Sequence, residues 1–134
     1  MKIDEVEGIG ATYAAKLSSA GVSTTDDLLM AGATPSGRSK LETATGISGL
    51  LLLEWVNHVD LMRIPGVGSE YSDLLEAAGV DSPAELAQRN AANLAQTFQE
   101  VIAARPSMVR RIPSEATLRE WIAAAAAMPK TVEH

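Results

Sequence analysis

The sequence contains no cysteine, and this absence removes several kinds of site. Neither a disulfide nor a thiolate-bound metal can stabilise the chain, and no cysteine nucleophile is available for catalysis. Nothing in the residue usage indicates secretion, so we expect a cytoplasmic location. The sequence starts without the basic and apolar regions of a signal peptide, and the longest apolar run, Leu50 to Leu53, is far shorter than a membrane span. We therefore expect no association with a membrane.

Aromatic and basic residues are also scarce. Aromatics make up 4% of the 134 residues, and 11 Lys and Arg stand against 17 Asp and Glu, which gives a formal charge of −6. The overall content, 46% hydrophobic and 21% charged, is typical of a globular domain and argues against disorder. The alternating β-branched pattern of strands is missing throughout. The predicted fold class is therefore all-α.

One short segment of the sequence occurs twice. The residues Glu7-Gly8-Ile9-Gly10-Ala11-Thr12-Tyr13 recur 58 positions later as Pro65-Gly66-Val67-Gly68-Ser69-Glu70-Tyr71, and an Ala-Gly-Val follows both. Further matches continue to Trp55 and Trp121, where the spacing has grown to 66. These matches predict one unit used twice, over residues 1–58 and 59–129, with an insertion of eight residues in the second copy.

We expect the two halves to pack as one compact body, since a single repeat of about 60 residues would be marginally stable alone. Residues 130–134 are expected to form a tail. Within it, Val132-Glu133-His134 is typical of the remnant of a cloning site and histidine tag.

Each repeat is predicted to begin with a tight turn between helices. A hydrophobic residue between two glycines allows the chain to reverse, because glycine adopts backbone angles that other residues avoid. Short helical stretches, Lys2 to Val6 and Val59 to Ile64, precede the two turns, and amphipathic helices follow them. Gly21 and Gly79 are expected to end these helices in the left-handed conformation.

The remaining helices are predicted from their start and stop signals. Thr24 or Ser23 should begin a helix that ends near Gly32, and Ser82 with Glu85 should form a capping box. The other expected features are listed here: a helix from about Ser39 to Ala44 that closes at Gly46, a helix that begins after Asn90 and runs to about Ala104, final helices that begin at Ser48 and Ser114, a nearly continuous helix from Glu54 to Ile64, and core positions for Trp55 and Trp121.

The duplicated turn resembles the helix-hairpin-helix motif, and each copy has about the customary 20 to 25 residues of that motif. Two copies with matched downstream leucines, Leu17 and Leu75, make the resemblance specific. Over its whole length the chain resembles an uncharacterised bacterial family with tandem units of this kind. These units are also similar to the helical C-terminal domain of the RNA polymerase alpha subunit.

The resemblance implies a non-enzymatic module that binds the backbone of DNA or RNA without reading its sequence. In helix-hairpin-helix proteins, backbone N–H groups at the start of the second helix bind phosphates, sometimes together with a monovalent cation held by loop carbonyls. The contacts implied for this chain are listed here: Gly8, Ile9, Gly10, Ala11 and the nearby Lys16 in the first copy, and Gly66, Val67, Gly68 and Ser69 in the second.

The charges oppose this interpretation. Active members of the motif family usually place a basic residue just after the second glycine, where this chain has Ala11-Thr12 and Ser69-Glu70. A carboxylate such as Glu70 at about 7 Å from a phosphate would oppose binding by roughly 0.5 to 2 kcal/mol. The second turn is therefore the poorer candidate. Lys2, Arg38 and Lys40 could converge with Lys16 on a basic face, or they could be scattered solubilising charges.

The alternative is that the turns are purely structural and that another protein is the partner. An acidic or apolar surface, or the insertion around residues 105–112, would then provide the contact. Fold alone does not decide between these functions.

Other chemistry is not expected. Neither turn has the third glycine or the preceding strand of a dinucleotide-binding fingerprint. Glu54 and His58 are four residues apart and could bind a metal together with Asp60, but one histidine with carboxylates rarely suffices. A solvent-facing pair or a histidine at a helix C-terminus is favoured instead. We predict no metal, no cofactor, no small-molecule substrate and no catalytic residue.

Overall fold

The chain forms helices and no β-strand. The computed structural model describes all residues from Met1 to His134, and its sole β-type pairing is an isolated bridge between Lys2 and Thr24. The all-α prediction is confirmed. A short 3₁₀ helix, Ile3–Glu5, precedes eight α-helices, which are listed here: α1 Ala11–Ser19, α2 Thr25–Gly32, α3 Pro35–Thr45, α4 Gly49–Leu61, α5 Ser69–Ala77, α6 Pro83–Ala87, α7 Ala91–Ala104 and α8 Glu115–Ala127.

Two units, each with its own core, make up the fold. The first comprises Met1–Asp60 together with Lys130–His134, and the second comprises Leu61–Pro129. The predicted boundary after residue 58 differs by two positions, because α4 continues through Val59 and Val59 is buried in the first core. Residues 130–134, expected to be a separate tail, belong to the first unit. That the two units pack as one body stays a prediction.

The core of the first unit is built largely from the 3₁₀ helix and helices α1 to α4. Ile9, the residue between the two glycines of the first turn, is 3% exposed and belongs to this core. The remaining buried apolar residues are Ile3, Val6, Ala14, Leu17, Val22, Leu28, Leu41, Ile47, Leu52, Trp55, Val56, Val59 and Val132. Burial of this set supplies the main hydrophobic stabilisation of the unit.

The core of the second unit contains Val67 at the place of Ile9. Phe98, the sole phenylalanine, is fully buried there on α7. The other buried apolar residues are Leu61, Ile64, Leu74, Leu75, Ala78, Val80, Leu86, Ala91, Leu94, Val109, Leu118, Trp121 and Ala125. Both tryptophans are 3% exposed, so their predicted core positions are confirmed.

Most helix starts agree with the capping signals. Thr24 accepts a hydrogen bond from the Asp27 N–H at 3.1 Å, and the Asp27 carboxylate accepts one from the Thr24 N–H in return. Ser82 caps α6 through the Glu85 N–H, but the Glu85 carboxylate bonds Arg89. The predicted capping box at Ser82 is thus half formed. Gly21 and Gly79 have φ of +87° and +91°, so the predicted left-handed helix ends are confirmed.

Two predicted helix boundaries were wrong. Helix α3 begins at Pro35 and not at Ser39, because the Thr34 hydroxyl accepts the Gly37 N–H at 3.0 Å and proline is favourable at the first helical position. Helix α4 ends at Leu61 and does not reach Ile64. There the Ile64 N–H donates to the Leu61 carbonyl, which starts the second turn.

Candidate functional site

The first turn connects the 3₁₀ helix to α1 and is stabilised by an internal hydrogen bond and a buried side chain. Gly8 has φ of +87°, a conformation that L side chains rarely adopt. The Ile9 N–H donates to the Val6 carbonyl at 3.1 Å while the Ile9 side chain lies in the core. Of the residues implied as phosphate contacts, Ile9 therefore uses its amide within the turn.

The second turn has the same backbone arrangement. Gly66 has φ of +90°, and the Val67 N–H donates to the Ile64 carbonyl at 3.0 Å. Val67 is 4% exposed, so its amide and side chain are both engaged internally. The backbone groups left to bind an anion are the amides at the start of the helix that follows each turn.

The first residues of α1 have amides without a hydrogen-bond partner in the chain. The N–H groups of Gly10, Ala11 and Thr12 make no hydrogen bond, and all three residues are exposed. In the second unit the Gly68 N–H is likewise unpaired, but the following residue, Ser69, is half-buried. The start of α1 is therefore the more accessible of the two helix starts.

These two helix starts differ from the other six. Helices α1 and α5 follow Gly10 and Gly68 and have no side-chain cap. Every other α-helix begins with a side-chain oxygen that accepts an N–H of its first turn, from Thr24, Thr34, Ser48, Ser82, Asn90 and Ser114. Helix N-termini without any side-chain cap are therefore confined to the two duplicated turns, where the first-turn amides carry the partial positive charge of the helix.

Gly10 and Gly68 are not required by the fold. Their φ values, −81° and −91°, are accessible to any residue. A Cβ built at either position meets no heavy atom within 4 Å. A serine or aspartate would cap these helices better than glycine, so the missing side chain leaves open space in front of the amides without stabilising the fold.

One cation is positioned beside the first turn. The Tyr13 ring packs edge-on against Trp55, with ring centroids 5.1 Å apart. The Lys16 ammonium lies 5.9 Å from the Tyr13 centroid, one helical turn further along α1. Lys16 is exposed, and this contact holds its charge on the face of α1 that carries Tyr13.

Acidic side chains surround the N-terminal side of the same turn. Asp4, Glu5 and Glu7 are all exposed and precede Gly8 by only a few residues. The Glu5 carboxylate is drawn back to the Lys2 N–H at 3.0 Å. These negative charges oppose anion binding and reduce the affinity that the free amides could provide.

Arg38, one of the basic residues considered for a convergent face, is structural. It is 6% exposed, and its guanidinium donates to the carbonyls of Gly32 and Glu133 at 2.8 and 2.7 Å. Lys40 and the inserted Arg110 and Arg111 are exposed. Sequence reasoning missed the role of Arg38, because its contact with Glu133 joins residues 95 positions apart and leaves no periodic signal.

The considered metal ligands do not form a solvent-facing pair. Glu54 is exposed, whereas His58 is 3% exposed in the last turn of α4. Of the two alternatives expected for His58, the histidine at a helix C-terminus describes its place and the solvent-facing pair does not.

None of the eight helices has both the length and the apolar composition needed to span a bilayer.

Comparison with known proteins identifies the family. No curated protein and no solved structure is significantly similar to this chain. A family model described as a domain of unknown function, DUF4332, matches residues 7–128, from the residue before Gly8 to the residue after α8. This match covers most of the chain, which therefore belongs to the DUF4332 family.

Proposed function

We propose that the chain is a non-enzymatic helix-hairpin-helix module that binds the backbone of nucleic acids weakly and without sequence preference, mainly through its first turn. The observation that supports this proposal most directly is the uncapped start of α1. Its amides are exposed and unpaired, and they follow a glycine whose missing side chain the fold does not need.

The proposed contact is between one phosphate and the N-terminus of α1. Amides of Gly10, Ala11 and Thr12 donate towards the phosphate oxygens, and the helix dipole favours the negative charge. Glycine at position 10 allows the backbone to approach the phosphate closely. Lys16 would neutralise a neighbouring phosphate from the same face.

The charge of the chain sets the expected strength. Affinity for nucleic acid depends on the number of phosphates that Lys and Arg neutralise, with a salt slope of about −0.9 per phosphate on duplex DNA. One lysine at the first turn predicts a slope of about −1 and affinity well below that of a basic domain. The formal charge of −6 weakens long-range attraction further.

Titration of fluorescent DNA and RNA with the intact protein tests the proposal, at about 20 and about 150 mM salt. Gly10→Ser is the informative variant, because the new hydroxyl would cap the amides and the new Cβ would fill the space in front of them. We expect binding at low salt only. The variant should bind at least about ten-fold more weakly, because a hydrogen bond from an amide to a charged phosphate contributes about 1.5 to 3 kcal/mol.

The fold should tolerate this substitution, which separates binding from stability. Replacing glycine by serine at a helix N-cap changes stability by only a few tenths of a kcal/mol, in the favourable direction. Gly68→Ser is the matched control, and we expect a smaller loss of binding from it. The proposal fails if no binding occurs at low salt, or if Gly10→Ser binds as well as the unaltered protein.

A second candidate function is binding to another protein. Met30 is 81% exposed and lines a groove of about 430 Å³ in the first unit, together with Ala20, Ala31, Leu41 and Ala44. Large exposed apolar side chains next to a groove are typical of interaction sites. Co-purification with the unaltered protein and with Met30→Gln tests this candidate. A partner retained at high salt by the unaltered protein and lost from the variant would favour it over the first.

A further inference from the structure

Residues 105–112 of the second unit, called the inserted segment from here on, form a basic patch on an acidic chain. The segment contains three arginines and no acidic residue, whereas the whole chain has a formal charge of −6. Arg105, Arg110 and Arg111 are all exposed, and none of their side chains makes a hydrogen bond or an ion pair within the protein. Their positive charge is therefore available to a ligand.

Arginines elsewhere in the chain have partners for their guanidinium groups. Arg38 donates to two backbone carbonyls, at 2.8 and 2.7 Å. Arg89 and Arg119 form ion pairs with Glu85 and Glu115, at 3.1 and 2.9 Å. Such partners compensate the charge of an arginine inside the fold. The inserted segment differs because its arginines have no such compensation.

The backbone of the inserted segment is held in place by the second unit. Val109 is 8% exposed and belongs to the core of that unit. The Met108 N–H donates to the Arg105 carbonyl at 3.1 Å, and the Arg111 carbonyl accepts from the Tyr71 hydroxyl at 3.0 Å. A backbone that is already ordered loses less conformational entropy when its side chains bind a ligand. The arginines thus start from fixed positions.

The segment lies beside the start of α5. Tyr71 belongs to the first turn of this helix, which follows Gly68, so its hydroxyl bond places the Arg111 backbone one tyrosine side chain away from the second turn. Glu70 is exposed in the same turn of α5 and opposes an anion at the helix amides. The arginines, and not those amides, would therefore make the contact with an anionic ligand.

We propose that the inserted segment is a second contact for the backbone of nucleic acids, in which Arg105, Arg110 and Arg111 each pair with a phosphate. A guanidinium can donate two parallel N–H bonds to one phosphate, which makes arginine suited to this role. Three separate cations match a polymer of phosphates better than a single small anion. The class of ligand rests on the proposed function, but the residues belong to the second unit and are distinct from the first turn.

The salt dependence of binding tests this contact with the intact protein and a fluorescent duplex of about 20 base pairs, between about 20 and about 150 mM salt. Lys16 alone predicts a slope of about −1, and each arginine on a phosphate adds about −0.9. We therefore expect a slope steeper than about −2 for the unaltered protein.

The informative variant combines Arg105→Gln, Arg110→Gln and Arg111→Gln. We expect its slope to fall to about −1 and its affinity at about 20 mM salt to fall at least about ten-fold, because three phosphate contacts are lost. The fold should be unaffected, since the replaced side chains are exposed and have no partner. The bond between the Tyr71 hydroxyl and the backbone at position 111 is retained.

A matched control removes the same charge outside the inserted segment. It combines Arg89→Gln, Arg119→Gln and Lys130→Gln, and we expect it to keep the steep slope and to lose at most about three-fold in affinity. Equal losses in the two variants would show that only net charge matters, which would overturn the proposal. A poly-glutamate peptide that binds as tightly as DNA, and is lost from the first variant, would identify an acidic protein surface as the partner and overturn it too.

The experiment separates this contact from the first turn. A slope near −1 in the unaltered protein, with weaker binding by Gly10→Ser, would overturn the role of the inserted segment and leave the first turn in place. A steep slope that disappears with the three arginines, while Gly10→Ser binds normally, would support the inserted segment and reject the first turn. No binding at low salt would overturn both.

Discussion

The two turns share a backbone and differ in what surrounds it. Each has a glycine with positive φ, an apolar residue whose amide closes the turn, and an uncapped helix start. In the first unit, Thr12 and Lys16 follow on the exposed side of α1. At the equivalent positions of α5, Glu70 is exposed and Leu74 is fully buried. The second turn thus has a carboxylate in place of a neutral side chain and an apolar core residue in place of a cation.

The inserted segment adds to the difference. Tyr71 donates its hydroxyl to the Arg111 carbonyl at 3.0 Å and is half-buried, whereas the equivalent Tyr13 is 38% exposed. Each tyrosine packs against the tryptophan of its own unit, Trp55 or Trp121, with similar ring spacing. Glycine therefore determines the backbone of each turn. The side chains around the turn, which differ between the two units, determine its charge and polarity.

The largest expected difference between the turns concerns their positive-φ glycines. Gly8→Ala and Gly66→Ala should each destabilise the protein by about 1 to 3 kcal/mol, because alanine is strained at φ near +90°. The loss should be greater for Gly66→Ala, whose Cβ would lie 3.2 Å from Trp121 Nε1, against 3.8 Å from Trp55 Nε1 for Gly8→Ala. Urea denaturation measures both. Gly10→Ala is the control, and a loss as large as that of Gly8→Ala would contradict the argument.

The second largest effect concerns single substitutions at the equivalent positions Thr12 and Glu70. If the turns bind phosphate as proposed, Thr12→Glu should weaken binding to single-stranded DNA by about 0.5 to 2 kcal/mol, because a carboxylate is brought near the phosphate. Glu70→Thr should strengthen binding by a similar amount through the second turn. Titrations at low salt measure both variants. Equal affinities for the two variants would show that neither turn contributes.

The inserted segment gives a smaller effect. Tyr71→Phe removes the hydrogen bond to the Arg111 carbonyl and should cost about 0.5 to 1.5 kcal/mol. Tyr13→Phe should be close to neutral, since its exposed hydroxyl makes no such bond. Thermal unfolding compares the two variants, and an equal loss in both would mean that the bond to the insertion does not stabilise the second unit.

The smallest effect is a pH dependence confined to the first unit. The Ser23 backbone N–H, the Thr24 hydroxyl and the Thr24 N–H lower the pKa of Asp27 below its ordinary value. A lowered pKa in the folded state means that the carboxylate stabilises the fold above the unfolded pKa of about 3.9, and that this contribution is lost as pH falls through the folded pKa.

Unfolding followed from pH 7 down to about pH 2 should therefore show a smaller loss of stability in Asp27→Asn than in the unaltered protein. Ser82 has no equivalent carboxylate bond, because Glu85 pairs with Arg89. Glu85→Gln is therefore the control, and we expect it to leave the acid dependence nearly unchanged. Identical acid profiles for Asp27→Asn and the unaltered protein would contradict the role given to Asp27.

Features encoded by neighbouring residues were predictable. Asn90 caps α7, which runs from Ala91 to Ala104 as expected, because the cap and the apolar spacing lie within the same few residues. The start of α3 was predicted four residues too late, at Ser39, whereas Thr34 caps a helix that begins at Pro35. Within a helix, Gly37 is accommodated where a Cβ would lie 2.2 Å from the Ala31 carbonyl oxygen.

The candidate site was predictable only in part. The glycines indicated where the uncapped helix starts lie, because glycine has no side chain that could act as an N-cap. The sequence did not reveal which amides stay free, because the Ile9 and Val67 N–H groups close their own turns. The sequence also could not decide whether the basic residues converge on one face, because the charge of Arg38 does not reveal that its side chain is buried.

By itself the sequence determined the all-α class, the two glycine turns and most helix ends, because these depend on backbone preferences over a few residues. Only the tertiary structure decided that Arg38 belongs to the core and that residues 130–134 complete the first unit. The physical reason is that a buried guanidinium needs carbonyl acceptors wherever the fold brings them, and here one comes from a residue 95 positions away.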